Sequence, residues 1–219
     1  MKPIIFFDLD DTLINTSERH YRVYKDILRD YGIQDILSKE ELWNYKRMGK
    51  KTLELLPKNL SEEFIQKFMN EWSKRIENKS YLKYDNLLPA SLCVLSILKN
   101  KADLILVTLR NNRKNLFWEL SNFGLDNYFK EILVDSSVEL KNKTTLIKDY
   151  IGGYLKKKKL IIIGDTESDI FTGKELDMLI FSVTYGIRSK EFLMNLKPDF
   201  CLDNLSEIPK ILKKVNNNL

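Results

Sequence analysis

Short, unbroken apolar runs separated by helical patterns constrain this chain more than any other feature. The runs are Ile4-Ile5-Phe6-Phe7, Leu104-Ile105-Leu106-Val107, Ile132-Leu133-Val134, Leu160-Ile161-Ile162-Ile163 and Leu179-Ile180-Phe181-Ser182-Val183, with a last one at Asp199-Phe200-Cys201-Leu202. A run without polar alternation suits a strand buried on both faces, as in a parallel sheet covered by helices on each side. Between the runs, Leu116, Leu120 and Phe123 recur at helical spacing before Gly124, and Leu146, Ile147, Tyr150 and Ile151 do the same. This alternation predicts an α/β fold built on a parallel sheet.

Residues 15–86 break the alternation, and no strand pattern is visible there. His20, Tyr24, Ile27, Leu28 and Tyr31 form one stripe closed by Gly32. Ser38 with Glu41 reads as a capping box. Ser61 opens a helix with Phe64, Ile65, Phe68, Met69, Trp72 and Ile76 on one face. The expectation is an all-helical insertion over 15–86, within a core made of 1–14 and 87–219. Of the 219 residues 43% are hydrophobic and 31% charged, which excludes a disordered chain. No run approaches the ~18 apolar residues of a membrane span, and the apolar start is too short for a signal peptide. The net charge of +5 is a weak pointer to nucleic acid, so neither nucleic acid nor membrane is an expected partner. Cys93 and Cys201 lie far apart in apolar surroundings and are expected as two buried thiols of a cytoplasmic protein. The run Lys156-Lys157-Lys158-Lys159 is expected as a solvated loop.

The chemistry gathers where the strands end. In an open parallel sheet ligands bind beyond the carboxyl ends of the strands. Asp8 follows the first apolar run and Asp10 lies two residues on, a spacing that keeps both carboxylates on one side if the extended geometry persists. Thr108 follows the second run. Gly164-Asp165 follows another, with Asp169 in the first turn of the next helix. A single aspartate in such a place usually caps a helix or fills a turn. Several placed after separate buried strands repel one another unless a cation sits among them. Oxygen ligands without a His or Cys cluster favour a hard ion such as Mg²⁺ over zinc.

Phe7-Asp8-Leu9-Asp10-Asp11-Thr12-Leu13 resembles the first motif of the haloacid dehalogenase-like hydrolases. Val107-Thr108 is similar to their second motif and Gly164-Asp165-Thr166-Glu167-Ser168-Asp169 to their fourth, with Lys143 the lysine of the third and Lys141 its rival. The resemblance extends over nearly the whole chain. It implies a Rossmann-like three-layer parallel sheet core with an inserted all-helical cap domain of the first type. It further implies a Mg²⁺-dependent phosphatase of the phosphoglycolate-phosphatase-like group, acting on a small phosphorylated substrate as a monomer or homodimer. By the same resemblance Asp8 is the nucleophile that becomes an aspartyl-phosphate, and Asp10 is the acid and base. Thr108, Leu109, Arg110 and Lys143 bind phosphate. Asp8, Asp165 and the backbone carbonyl of Asp10 hold the metal, and Asp169 orients that shell.

Some positions depart from the pattern or leave alternatives open. Asp11 stands where many members have glycine. No proline follows Lys143. Leu109-Arg110 replaces a small polar residue, and Arg110 is either an anion contact or surface. His20 is similar to a hinge histidine of beta-phosphoglucomutases, where it would assist Asp10; otherwise it packs the inner face of the first insertion helix. Lys46, Arg47, Gly49, Lys50 and Lys51 fall near the segment that contacts substrate in related enzymes, and are either contacts for an anionic leaving group or a solvated loop. The alternatives to a phosphatase are a beta-phosphoglucomutase-like phosphosugar mutase and, from another class, a fold that has become a binding module.

Overall fold

The computed structural model describes residues 2–134, 142–152 and 159–217. Lys141 and most of the Lys156–Lys159 run lie outside the described residues. Six parallel strands form one sheet: β1 (Ile4–Phe7), β4 (Asp103–Thr108), β5 (Glu131–Val134), β6 (Leu160–Gly164), β7 (Leu179–Val183) and β8 (Phe200–Leu202), in the order β5-β4-β1-β6-β7-β8. The first strand is thus central, with β4 on one side and β6 on the other, in the registers Phe7↔Leu106 and Phe7↔Ile163.

Successive strand residues point to opposite faces, and both faces are apolar. Ile5, Phe7, Leu104, Leu106, Ile161 and Ile163 join one buried cluster with residues of α5 (Ser91–Lys99), α6 (Arg113–Asn122) and α10 (Ile208–Asn217). Ile4, Phe6, Ile105, Val107 and Ile162 join the other with residues of α7 (Lys143–Ile151), α8 (Glu167–Glu175) and α9 (Lys190–Asn195). The result is the helix-covered parallel sheet that the apolar runs predict, in the three-layer, Rossmann-like form that the family resemblance implies.

Residues 15–86 carry the helices α1 (Ser17–Asp30), α2 (Lys39–Arg47), α3 (Glu62–Arg75) and α4 (Lys79–Leu82). Their apolar faces meet in a separate buried cluster of Val23, Tyr24, Ile27, Leu28, Leu42, Leu55 and Phe68. The Ser38–Glu41 capping box forms, and the Ser61 side chain accepts from the backbone N–H of Phe64. One strand pair does occur at the edge of this region. β2 (Ile14–Asn15) pairs antiparallel with β3 (Asn86–Leu87), where the chain leaves and re-enters the core. Two residues are too few to show a periodic pattern. No helix among the described residues is long and apolar enough to cross a membrane.

The cysteines differ from expectation. Cys93 is exposed and Cys201 half-buried. On α5 the buried positions are Ser91, Val94, Leu95 and Leu98. Cys93 therefore points outward although its sequence neighbours are apolar, and Cys201 lies on the edge strand β8.

Candidate active site

The strand order explains why distant residues meet. β4, β1 and β6 are neighbours about 4.8 Å apart, so Thr108 at the end of one and Asp8 and Asp165 just past the ends of the others share one edge. The Asp8 backbone N–H donates to the Ile163 carbonyl at 2.9 Å, extending the ladder one residue beyond the strand. The chain then turns through Asp11, whose φ of 56° lies in the left-handed region, which Asp tolerates better than most residues. The Asp11 carboxylate accepts from the Thr16 backbone N–H (2.9 Å) and hydroxyl (2.6 Å), fixing the approach to α1.

Lys143, the first residue of α7, sends its ammonium into this edge. Its Nζ donates to Asp8 Oδ1 and to Asp169 Oδ1, each at 2.6 Å. One carboxylate oxygen from each of Asp8, Asp165 and Asp169 falls within 4.8 Å of the others, and all three residues are buried. The second Asp169 oxygen accepts from the Thr166 backbone N–H and hydroxyl. Asp165 accepts from the Ile187 backbone N–H at 2.6 Å. Two glycines make room: a Cβ on Gly164 would overlap the Asp169 carboxyl, and one on Gly186 would overlap Asp165. Burial pushes the Asp8 carboxyl up to about 7; Lys143 opposes this and Asp169 adds to it. Burial, with the charges of Asp11, Asp8 and Asp169, holds Asp165 well above the ordinary carboxylate range. Among the described residues, Asp8, Asp165 and Asp169 thus crowd around the Lys143 ammonium, which leaves negative charge uncompensated. An all-oxygen set of this kind fits a hard divalent cation.

The Asp10 side chain has other partners. Arg110 Nε donates to its Oδ2 at 2.8 Å and Arg110 Nη2 to its Oδ1 at 2.6 Å, while Arg19 Nη2 reaches Oδ1 at 3.1 Å. Burial alone would raise the Asp10 pKa, but Arg110 and then Arg19 outweigh it and hold this carboxyl well below the ordinary range. Asp85 and Glu119 lie behind the two guanidiniums. Burial pushes Asp85 up to about 9 against the pull of Arg19, with Glu119 and Asp10 adding to the rise.

Asp8, Asp10, Asp11, Arg19, Arg110, Lys143 and Asp165 line a cavity of about 290 Å³ together with Thr108, Leu109, His20, Ile76, Glu77 and Ile187, while Asp85, Glu119 and Asp169 stand behind its wall. Thr108 is buried and Leu109 exposed. Arg110 is not a surface residue: it is buried, lines the cavity and forks onto Asp10 through Nε and Nη2. His20 lines the cavity and also packs edge-on against Trp43 and Trp72. Burial, then the nearby Lys46 and Arg19 charges, lowers its pKa well below the ordinary histidine value, so it is neutral at neutral pH. The basic segment is not uniformly solvated. Lys46 is buried with Nζ donating to Thr52 Oγ1 at 2.8 Å. Arg47 donates to the carbonyls of Gly186 and Thr184, tying the helical region to the loop after β7. Lys50 and Lys51 are exposed.

Sequence reasoning did not single out Arg19, Asp85, Glu119 or Glu77. The Glu77 carboxylate accepts from the backbone N–H groups of Asn111 (2.9 Å) and Asn112 (2.6 Å), a second tie between the helical region and the core. Two of the four carry a legible signal. Arg19 interrupts the apolar face of α1 ahead of Val23, and Glu119 sits between Leu116 and Leu120 on the inner face of α6. A charge on a buried stripe needs a buried partner.

Comparison with known proteins agrees with this architecture. A pyrophosphatase PpaX of Listeria monocytogenes serotype 4a is 23% identical over 225 residues, covering 95% of each chain. A phosphoglycolate phosphatase of Haemophilus influenzae is 24% identical, covering 95% of this chain and 97% of that one. The solved structure of a haloacid dehalogenase-like family hydrolase from Streptococcus pneumoniae superposes with a TM-score of 0.81 at 22% identity, covering 96% of this chain and 98% of that one. The family model described as haloacid dehalogenase-like hydrolase matches residues 5–183, a span that holds Asp8, Thr108, Lys143 and Asp165, and the chain belongs to that family.

Proposed function

We infer that the protein is a Mg²⁺-dependent phosphatase that hydrolyses a small phosphorylated metabolite through an aspartyl-phosphate on Asp8. One observation carries the reading: buried carboxylates following separate strands converge with Lys143 on a cavity that the helical region also lines. The relatives described as a pyrophosphatase and a phosphoglycolate phosphatase support phosphate hydrolysis as the reaction class.

Asp8 is the nucleophile. One of its oxygens bonds to phosphorus as the bond to the leaving-group oxygen breaks. Lys143 and the Thr108 hydroxyl bind the equatorial phosphate oxygens. Asp8, Asp165 and the Asp10 backbone carbonyl would hold the divalent cation, with Asp169 orienting them beside Lys143; the ion supplies charge neutralisation for the phosphate and the carboxylates. Asp10 gives a proton to the leaving oxygen, then takes one from the water that hydrolyses the intermediate. The paired arginines favour its carboxylate form, which suits the second of these steps. Residues 15–86 act as a cap domain on a core of 1–14 and 87–219. Arg47 and Glu77 anchor the cap where it excludes bulk water from the transfer.

Protons and Mg²⁺ compete for Asp8 and Asp165, because ligating carboxylates must be ionised. The folded-state pKa of Asp8, about 7, lies above its ordinary 3.8. The metal-free fold therefore binds this proton more tightly than the unfolded chain does. Stability from this group falls as pH rises from the ordinary value through about 7, and a bound cation removes the penalty. The Mg²⁺ concentration for half-maximal phosphate release from p-nitrophenyl phosphate is expected to fall between about pH 6 and about pH 8. Mg²⁺ at about a hundred times its Kd adds ~2.7 kcal/mol, which for a chain of this size raises Tm by roughly 5–10 °C, and by more at the higher pH. Chelation abolishes release and Mg²⁺ restores it. Release that persists in excess chelator contradicts the metal assignment. Isomerisation of a hexose 1-phosphate without free phosphate would overturn the phosphatase reading in favour of a mutase.

A further inference from the structure

Behind Asp10 lies a buried ionic cluster that attack by Asp8 does not by itself require. Arg19 comes from α1 of the helical region and Arg110 from the loop after β4, and both grip the Asp10 carboxylate. Each guanidinium is held from the rear. Arg19 Nε lies 3.2 Å from Asp85 Oδ2, and Arg110 Nη2 lies 3.0 Å from Glu119 Oε2. The side chains of Arg19, Asp85, Arg110 and Glu119 are 1%, 0%, 4% and 2% exposed, whereas that of Asp10, facing the cavity, is 31% exposed.

Stability is a poor reason for such a cluster. Desolvating each charge costs several kcal/mol, and apolar residues of similar volume commonly stabilise a fold as well or better. Arg110 Nη1 is buried without a hydrogen-bond partner, and Arg19 Nε meets Asp85 as an ion pair outside good hydrogen-bond geometry, so the fold carries a further cost at this place. A guanidinium fork does fix the orientation of a carboxylate, which a lysine ammonium cannot do.

We propose that Arg19 and Arg110, backed by Asp85 and Glu119, are positioning residues that hold Asp10 as the base of the dephosphorylation step, and that Arg19 makes this placement depend on the cap being seated. The proposal rests on the aspartyl-phosphate reading. In that step a water oxygen bonds to phosphorus and the bond from phosphorus to the Asp8 oxygen breaks, its electron pair returning to the Asp8 carboxylate. The water proton passes to Asp10, and inorganic phosphate leaves. Forming the intermediate from p-nitrophenyl phosphate needs no proton donor, because p-nitrophenolate departs as the anion. This substrate therefore separates the two halves of the cycle.

The test is rapid-mixing and steady-state kinetics of wild type, Arg19→Lys and Glu119→Gln with p-nitrophenyl phosphate and Mg²⁺. Arg19→Lys keeps the charge and loses the fork. Its kcat is expected to fall about tenfold to a hundredfold, part of the ~10²–10⁴ that a positioned base supplies. Its kcat/KM, which reports the first step alone, stays within about threefold. A burst of p-nitrophenolate approaching one per site precedes the slow phase. Glu119→Gln moves the same way by a smaller factor, and carries the test where Arg19→Lys fails to fold. The burst counts folded sites, so the ratio of steady-state rate to burst is independent of any misfolded fraction. Wild-type kcat in both variants, or kcat and kcat/KM falling together without a burst, overturns the proposal and leaves the phosphatase reading standing. A wild type that releases no p-nitrophenolate removes both.

Discussion

Asp8→Asn is expected to lower phosphate release at least ~10⁴-fold, the scale on which loss of a nucleophile acts, while the protein stays folded. The amide keeps the shape of the side chain, and its oxygen can still accept from Lys143, which lies 2.6 Å from Asp8 Oδ1. It cannot form the acyl-phosphate. The same change removes one of three crowded carboxylates. Burial already pushes Asp8 up to about 7, so its ionised form is disfavoured in the metal-free fold. Without Mg²⁺ the variant is expected to melt no lower than wild type at about pH 8, and the gain in Tm on adding Mg²⁺ should shrink. Activity comparable to wild type would remove Asp8 from the chemistry.

Lys143→Met is expected to damage both activity and stability. Among the described residues Lys143 is the one ammonium hydrogen-bonded to Asp8 and Asp169, and all three side chains are buried. Burial lowers the pKa of the ammonium, but Asp169 and Asp8 outweigh it and hold that pKa above the ordinary lysine value. Removing one partner of a buried pair costs about 3–5 kcal/mol, because the remaining charges are left uncompensated. For this chain length that corresponds to a Tm lower by roughly 10 °C. The sign with pH is fixed. Uncompensated carboxylates bind protons more tightly in the fold than in the unfolded chain, so the deficit grows as pH rises and narrows at about pH 5. Phosphate release should fall ~10²–10³-fold, as for loss of one preorganised donor to a developing negative charge. An unchanged Tm with only a modest loss of rate would mean that Lys143 is not the countercharge of this site.

The sheet and the convergence of Asp8, Thr108 and Asp165 were legible because a parallel strand buried on both faces writes itself as an uninterrupted apolar run, and the residue after each run is carried to one edge. The helical region was legible through its 3.6-residue stripes and two caps. What stayed hidden has physical causes. The β2–β3 pair is two residues deep and is created by the meeting of two chain crossings. Cys93 looks interior beside Val94 and Leu95, but a helix turns it away from the sheet. Lys46 and Arg47 belong to a basic stretch of sequence, yet one is buried against Thr52 and the other binds carbonyls of the core. The sequence around Arg110 does not show that Asp10, Asp85 and Glu119 surround it; these partners lie far apart in sequence, and only tertiary packing joins them.

Acid quenching during turnover tests the central claim most directly. Rapid quench of the enzyme with p-nitrophenyl phosphate and Mg²⁺, followed by peptide mass mapping, should find one phosphoryl group on the peptide that contains Asp8, and none there in Asp8→Asn. A phosphoryl group on another residue, or product formation with no covalent adduct at any time in the first turnover, would contradict the account.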